Sequence, residues 1–265
     1  MESKVITITS GKGGVGKTTI TANLATALAM AGHQVAAVDA DIGLRNLDVM
    51  LGLENRIVYD LVDVAEGRCR LRQALIRDKR LSNLFLLPAA QTRDKTAIQP
   101  ADMVKICEEL KADFSFILVD SPAGIEHGFR TALAPADEVI VVTTPEVAAV
   151  RDADRVIGLV EAAGKESVKL AINRVKPEMV ERGDMLSVED VLEILAIPLI
   201  GVIPEDPEVI VATNKGVPVV LNTSSFSGQA IKDMARRLMG EEVPFPSLKE
   251  SKSFLNTLGR WFRRK

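Results

Sequence analysis

Cysteine, histidine and aromatic residues are scarce in this chain of 265 residues. The two cysteines, Cys69 and Cys107, form no C-x-x-C pair, so neither a disulfide framework nor a zinc site is expected. His33 and His127 stand far apart without ligand spacing and read as ordinary surface residues. No run of about 18 uninterrupted apolar residues occurs, which leaves no segment able to span a bilayer as a helix. The chain passes from Met1 through Glu2 and Lys4 into a β-branched run, without the apolar stretch of a secretory signal. A reducing cytoplasm is therefore the expected compartment. Fixed-period repeats and low-complexity stretches are missing too.

Hydrophobic residues make up 47% and charged residues 26%, values that suit a folded globular protein. The length is enough to bury roughly three quarters of the unfolded surface. A net charge of −3 hides an asymmetry: residues 249–265 hold six Lys/Arg and one Glu, leaving 27 Lys/Arg against 35 Asp/Glu elsewhere. An acidic body with a basic tail argues against a nucleic-acid-binding face on the body. The tail is then the electrostatic contact element.

Seven strand-like runs recur, "KVITIT" (4–9), "QVAAVD" (34–39), "LFLLPA" (84–89), "FSFILVD" (114–120), "EVIVVTT" (138–144), "VKLAIN" (168–173) and "PLIGVI" (198–203). Most are continuously apolar, as strands covered on both faces are. Segments 18–31, 100–112, 147–163, 188–195 and 228–239 carry apolar residues at helical spacing. The alternation predicts an α/β fold, a mainly parallel sheet with helices on both faces. Two prolines and several charges in "EEVPFPSLKE" read as a linker, 241–250, between an α/β domain at 1–240 and a terminal segment at 251–265.

"GKGGVGKTT", Gly11 to Thr19, follows the first strand and opens the first helix, the setting required of a phosphate-binding loop. Gly11, Gly13, Gly14 and Gly16 let backbone N–H groups, with that of Val15 among them, turn toward phosphate oxygens. The helix beginning at Thr18, with Thr19 next in the loop that meets the phosphates, offers its positive end to the same anion. Lys17 is placed to reach the terminal phosphates and Thr18 to ligate Mg²⁺. Asp39 and Asp41 end the second strand run, where both carboxylates can reach the crevice at the carboxyl edge of the sheet. Asp120 closes "FILVD", a buried strand delivering a carboxylate to a metal.

Lys12 is not required by the phosphate-loop pattern. With it, the loop resembles that of the deviant Walker A ATPases, which reads K-G-G-x-G-K-[ST]. The resemblance implies a sandwich homodimer around two ATP molecules, with Lys12 crossing to the partner's nucleotide. It implies that Asp41 orders the attacking water, that Asp39 and Asp120 support hydrated Mg²⁺, and that Gly124 frees a loop sensing the γ-phosphate. It also implies that Asn173 and the loop Pro204-Glu205-Asp206 meet the base.

Further motifs, "DIGLRNLD" (41–48), "QTRDK" (91–95), "DSPAGIE" (120–126), "RGDMLSVEDVLEIL" (182–195) and "GVIPED" (201–206), are similar to the septum-site-determining MinD branch of that family. The branch implies a Mg-dependent ATPase peripheral on the inner face of the cell membrane, which recruits the division inhibitor MinC. The helix carrying Arg151, Asp152 and Asp154 is the implied partner surface, and the activator MinE is a partner that the resemblance leaves open. In the tail, taking about 100° per residue, Phe254, Leu255, Leu258, Trp261 and Phe262 fall within an arc of about 120°, opposite Arg260, Arg263 and Arg264. That is the composition of a helix lying on an anionic membrane surface. The alternatives are a ParA-like partition ATPase that binds DNA, a flagellar-number regulator of the same superfamily, and a scaffold that binds nucleotide without hydrolysing it.

Overall fold

In the computed structural model, which describes residues 3–94 and 96–245, the runs of β-branched and aliphatic residues form a single eight-stranded sheet. Its strands are β1 (Lys4–Thr9), β2 (Val35–Asp39), β3 (Ile76–Arg77), β4 (Leu84–Leu87), β5 (Phe116–Asp120), β6 (Glu138–Thr143), β7 (Val168–Val175) and β8 (Leu199–Pro204). They lie in the order β3-β4-β2-β5-β1-β6-β7-β8. Every pairing is parallel except β3 with β4, an antiparallel hairpin at one edge. The seven expected strands are present to within a few residues. The two-residue β3 was missed because it has no apolar run of its own.

The helices are α1 (Lys17–Met30), α2 (Leu47–Leu51), α3 (Leu61–Ala65), α4 (Leu71–Ala74), α5 (Pro100–Lys111), α6 (His127–Leu133), α7 (Val147–Ala162), α8 (Pro177–Glu181), α9 (Val188–Leu195), α10 (Pro207–Asn214) and α11 (Phe226–Leu238). Strand periodicity decides which side each residue serves. Ile6 and Ile8 of β1 join the core beneath α1 and α11, whereas Val5 joins the opposite core with Ile106 and Leu110 of α5. A third cluster packs α7 and α9 on β6 and β7. Helix α1 is enclosed nearly all round, every residue from Ile20 to Ala29 being buried, which its alanine-rich sequence permits.

β1 sits between β5 and β6; its connection to β2 runs to one side and that from β5 to β6 to the other, and the crevice at its carboxyl end is the binding position of open α/β sheets. Among the described residues no helix is long and apolar enough to cross a membrane. Both cysteines are free thiols, and burial pushes that of Cys107 up to about 12. The histidines are half-buried rather than surface residues: His33 packs edge-on against Phe116, and His127 Nε2 lies 2.9 Å from the Ile98 carbonyl oxygen.

The segment expected as a linker begins on the body. Arg237 of α11 donates to the carbonyls of Val243 and Pro244, each at 2.9 Å, and its guanidinium lies 3.8 Å from the centre of the Phe245 ring. The rest of the linker and the proposed membrane residues Phe254, Leu255, Leu258, Trp261 and Phe262 lie outside the described residues, as does Lys95.

Leu24 of α1 is fully enclosed between the sheet and the helices beside it. Leu24→Ala is expected to lower the unfolding free energy by about 2–5 kcal/mol, read from the urea midpoint. A loss below about 1 kcal/mol would show that this layer repacks freely.

Candidate nucleotide-binding site

The loop between β1 and α1 is shaped by two left-handed glycines, Gly14 at φ 83° and Gly16 at φ 96°. Gly16 is the N-cap of α1 and provides no side-chain bond, and the first turn carries no acidic residue. The leading N–H groups of α1 are thus left for an anion, with the positive end of the helix dipole behind them. Gly13, Gly14 and Lys12 are exposed, whereas Val15 is buried and anchors the loop.

The loop is held on two sides. The Asn173 amide, at the end of β7, donates to the Val15 carbonyl at 2.7 Å and lies so close to Gly16 that a Cβ there would strike it. On the other side Gly11 packs against Asp152 of α7, leaving no room for a side chain. Asn173, expected at the base, thereby also braces the loop. Asp152 is both the loop's wall and a neighbour of Arg151 and Asp154, which are exposed on α7.

Below the loop, β2 and β5 are adjacent and in register, so Asp39 and Asp120 stand side by side, both buried. Lys17 Nζ lies 3.4 Å from Asp120 Oδ1, and Thr21, one turn along α1, points its hydroxyl to the same oxygen at 3.2 Å. The Thr18 hydroxyl lies near enough to this carboxylate to favour its charged form. Burial raises the pKa of Asp120, against the Lys17 charge and the hydroxyl bonds, which lower it. Asp120 Oδ2 is buried without a hydrogen-bond partner.

Asp39 accepts the backbone N–H of Asp41 at 2.9 Å and of Leu47 at 3.1 Å, one on each oxygen. Burial, then repulsion from Asp120, nevertheless push its pKa up to about 7. Asp41 is half-buried just beyond, close enough for its charge to act on Asp39. On the other side of Asp120, Ser121 Oγ donates to Thr9 Oγ1 at 2.9 Å, and Gly124 turns the following loop at φ 93°.

At the edge of the crevice a cavity of about 680 Å³ opens where β6, β7 and β8 end, lined by Pro145, Val147, Arg174, Lys176, Met179 and Glu205 among others. Glu205 pairs with Lys176 at 2.7 Å. Asp206 caps α10 through the Glu208 N–H at 2.9 Å, and its other oxygen accepts Ser225 Oγ at 2.6 Å and the Ser227 N–H at 3.2 Å. Both of its oxygens therefore shape the loop that follows Pro204.

The chain matches the model of the CobQ/CobB/MinD/ParA nucleotide binding domain over residues 6–219. It is 57% identical over 262 residues to a putative septum site-determining protein MinD of Guillardia theta, covering 98% of this chain and 97% of that one. The chain belongs to the MinD family of septum-site-determining ATPases. Among solved structures, MinD in the MinC:MinD cell division protein complex of Aquifex aeolicus is 54% identical, with a TM-score of 0.87 over 92% of this chain and 99% of that one. A Pyrococcus horikoshii MinD complexed with Mg-ADP is 32% identical, with a TM-score of 0.81 over 89% and 96%. The likeness to ParA is more distant: a ParA family ATPase of Chlorobium tepidum is 25% identical, with a TM-score of 0.76 over 88% of this chain and 98% of that one.

The fold thus gathers Gly11 to Thr19, Asp39, Asp41, Asp120 and Asn173 at one edge of the sheet, with the Pro204 loop beside them. Sequence reasoning missed Thr21, Ser121 and Thr9. Thr21 was within reach, since it stands four residues after Lys17 on the same helical face; the Ser121–Thr9 bond depends on strand pairing and left no local signal.

The raised pKa of Asp39 makes the stability of the fold depend on pH. Between its ordinary value of 3.8 and about 7 the folded protein keeps a proton that the unfolded chain gives up, so stability falls as pH rises through that window. Urea unfolding of nucleotide-free protein at about pH 5 and about pH 8 is expected to show this loss, reduced in Asp39→Asn. An equal slope in the variant would assign the titration to another group.

Proposed function

We propose that this MinD-family protein binds ATP with Mg²⁺, closes into a homodimer around it, and thereby attaches to an anionic membrane through residues 251–265 and recruits MinC. The observation that carries this reading is the bare N-terminus of α1 beneath an exposed Lys12. The uncapped N-terminus suits a polyphosphate, and Lys12 is a second, exposed cation in the same loop as the buried Lys17. Lys12 makes no ion pair among the described residues, and a partner's polyphosphate is the charge that would compensate it.

A divalent cation suits the residues present. Asp120 offers a buried oxygen without a partner, beside the Thr18 hydroxyl and Asp39. No group of three or more His, Cys, Asp or Glu able to hold a metal occurs among the described residues; Mg²⁺ takes most of its ligands from phosphate and water in sites of this kind. Asp120, Thr18 and Asp39 would hold Mg²⁺ through oxygen and water, and the ion would supply positive charge against that developing in phosphoryl transfer.

The chain's own residues do the rest. The loop N–H groups and Lys17 fix the phosphates, Asp41 orients the attacking water from the rim of the crevice, and Lys12 adds positive charge from the opposing subunit. Asn173 and the Pro204-Glu205-Asp206 loop stand on the base side, next to the cavity ending β6 to β8. Residues 1–240 act as the ATPase body and 241–250 as its lead into the tail. Arg151, Asp152 and Asp154 on α7 form the face offered to MinC, a reading supported by the likeness to MinD in the Aquifex complex. One short amphipathic tail holds a membrane weakly, whereas two on one dimer gain from raised effective concentration.

Sedimentation with anionic liposomes tests this directly. Full-length protein is expected to pellet with Mg-ATP and far less with Mg-ADP, and a chain ending at Glu250 should stay in the supernatant with either. Equal pelleting in all arms would refute the switch. Separately, Lys12→Ala is expected to abolish stimulated hydrolysis, and Asp41→Ala to accumulate a dimer with ATP that does not turn over. A monomer from Asp41→Ala with ATP, by light scattering, would remove Asp41 from that role.

A further inference from the structure

The turn between β3 and β4 carries Asp78-Lys79-Arg80, far from the phosphate loop in sequence and unused by the chemistry above. Asp78 is buried and fixes the guanidinium of Arg80: Nη2 donates to Oδ2 at 2.8 Å, while Oδ1 takes the backbone N–H groups of Arg80 and Leu81 at 2.7 and 3.0 Å. Held in this way, the guanidinium fork reaches two carbonyls from different parts of the chain. Nη2 donates to Leu51, the last residue of α2, and Nη1 donates at 2.9 Å to Gly216, just past the end of α10. Lys79 adds a longer bond to the Gly52 carbonyl at 3.4 Å. Carbonyls at helix C-termini lack intrahelical partners, and a planar fork with several fixed donors can join two of them, as a single ammonium cannot.

The two helix ends also touch directly. Gly52 and Gly216 are both left-handed, at φ 64° and 59°, and a Cβ on Gly216 would come within 2.8 Å of Gly52 Cα. Both helices begin at the site. α2 starts at Leu47, whose N–H is held by Asp39, and α10 starts from the Asp206 cap, directly after Pro204 and Glu205. α2 follows the loop bearing Asp41, at the phosphate end of the crevice. α10 follows the loop at its base end.

We propose that Arg80 is a positioning residue that locks the helix behind the Asp39–Asp41 loop to the helix behind the base loop, so that filling the phosphate end of the cleft orders the base end. The inference rests on the nucleotide reading above. It adds a link between two parts of the site that do not touch through the ligand's own reacting atoms. Because α2 has only five residues, a shift of Leu47 carries to Leu51 with little room for absorption, and the clamp passes it to Gly216.

Hydrogen exchange on the full-length protein tests the link, with Mg-tripolyphosphate as a probe that has the phosphates and no base, and Mg-ADP as the reference ligand. In the unmodified protein tripolyphosphate is expected to slow exchange in 39–52 and, at least about fivefold, in 207–216 as well. Arg80→Met should keep the slowing in 11–21 and 39–52 but lose it in 207–216. Arg80→Lys, which retains the charge without the fork, should fall between.

If tripolyphosphate leaves 207–216 unchanged in the unmodified protein, the proposal is overturned, whatever becomes of the variants. It is also overturned if Arg80→Met raises exchange in 207–216 equally with and without the probe yet preserves the response, since Arg80 would then be only structural glue. No protection of 11–21 by either ligand would instead overturn the nucleotide reading, and this link with it.

Discussion

Two carboxylates and one ammonium share a dry place at the ends of three neighbouring strands, and most of the molecule's particulars follow from keeping them there. Asp39 and Asp120 are paired in register, and each raises the other's cost of ionisation in a crevice that burial has stripped of water. Lys17 and the hydroxyls of Thr18 and Thr21 compensate only one of them, and only on one side. Such an arrangement is poor for stability alone, since a hydrophobic core of the same volume would carry no desolvation cost. It makes sense as a place prepared for a group bringing its own charges, a polyphosphate with its cation.

The surrounding fold serves that preparation. A parallel sheet is needed because it brings the carboxyl ends of β1, β2 and β5 to one edge, each delivering a different group: the glycine loop, Asp39 and Asp120. α1 must be buried nearly all round because its N-terminus fixes the phosphate cradle, and a helix free to rock would blur it. Hence the alanine-rich sequence of α1, and Asn23, whose amide donates to the Thr19 carbonyl while its oxygen accepts the Val220 N–H at 3.1 Å.

Much of this was legible in the sequence because it is local. The phosphate loop is a contiguous string, and Asp39 and Asp120 each end a buried apolar run, so residue type and position together disclose their place. The five expected helices are found as well, with α9 matching residue for residue and the others within about two. What escaped is non-local. The role of Thr21 needs Asp120 brought from β5, the bracing of Val15 by Asn173 joins residues 158 apart, and Arg80 meets Gly216 across 136. The short α2 and α3 offer too few turns for a periodic signal and are set by caps and contacts. Asp206, read as a base contact, is seen in the fold to spend both oxygens on its own chain, a commitment that no spacing announces.

The contact between Gly11 and Asp152 gives α7 a second meaning. The helix buries Val150, Ala153, Val156 and Ile157 against β6 and β7, so its inner face is fixed by packing, and its outer face is left with Arg151, Asp154 and Arg155 exposed. Asp152 lies between the two, half-buried, with its backbone against the first glycine of the phosphate loop. Anything that presses on the outer face of α7 therefore does so within one residue of the cradle, and any rearrangement of the cradle must move past Asp152. A close-packed contact of this kind transmits displacement because neither side has space to yield. Gly11 is thus held to glycine by the neighbouring helix as much as by the phosphate chemistry, and the proposed partner face and the nucleotide meet at that one contact.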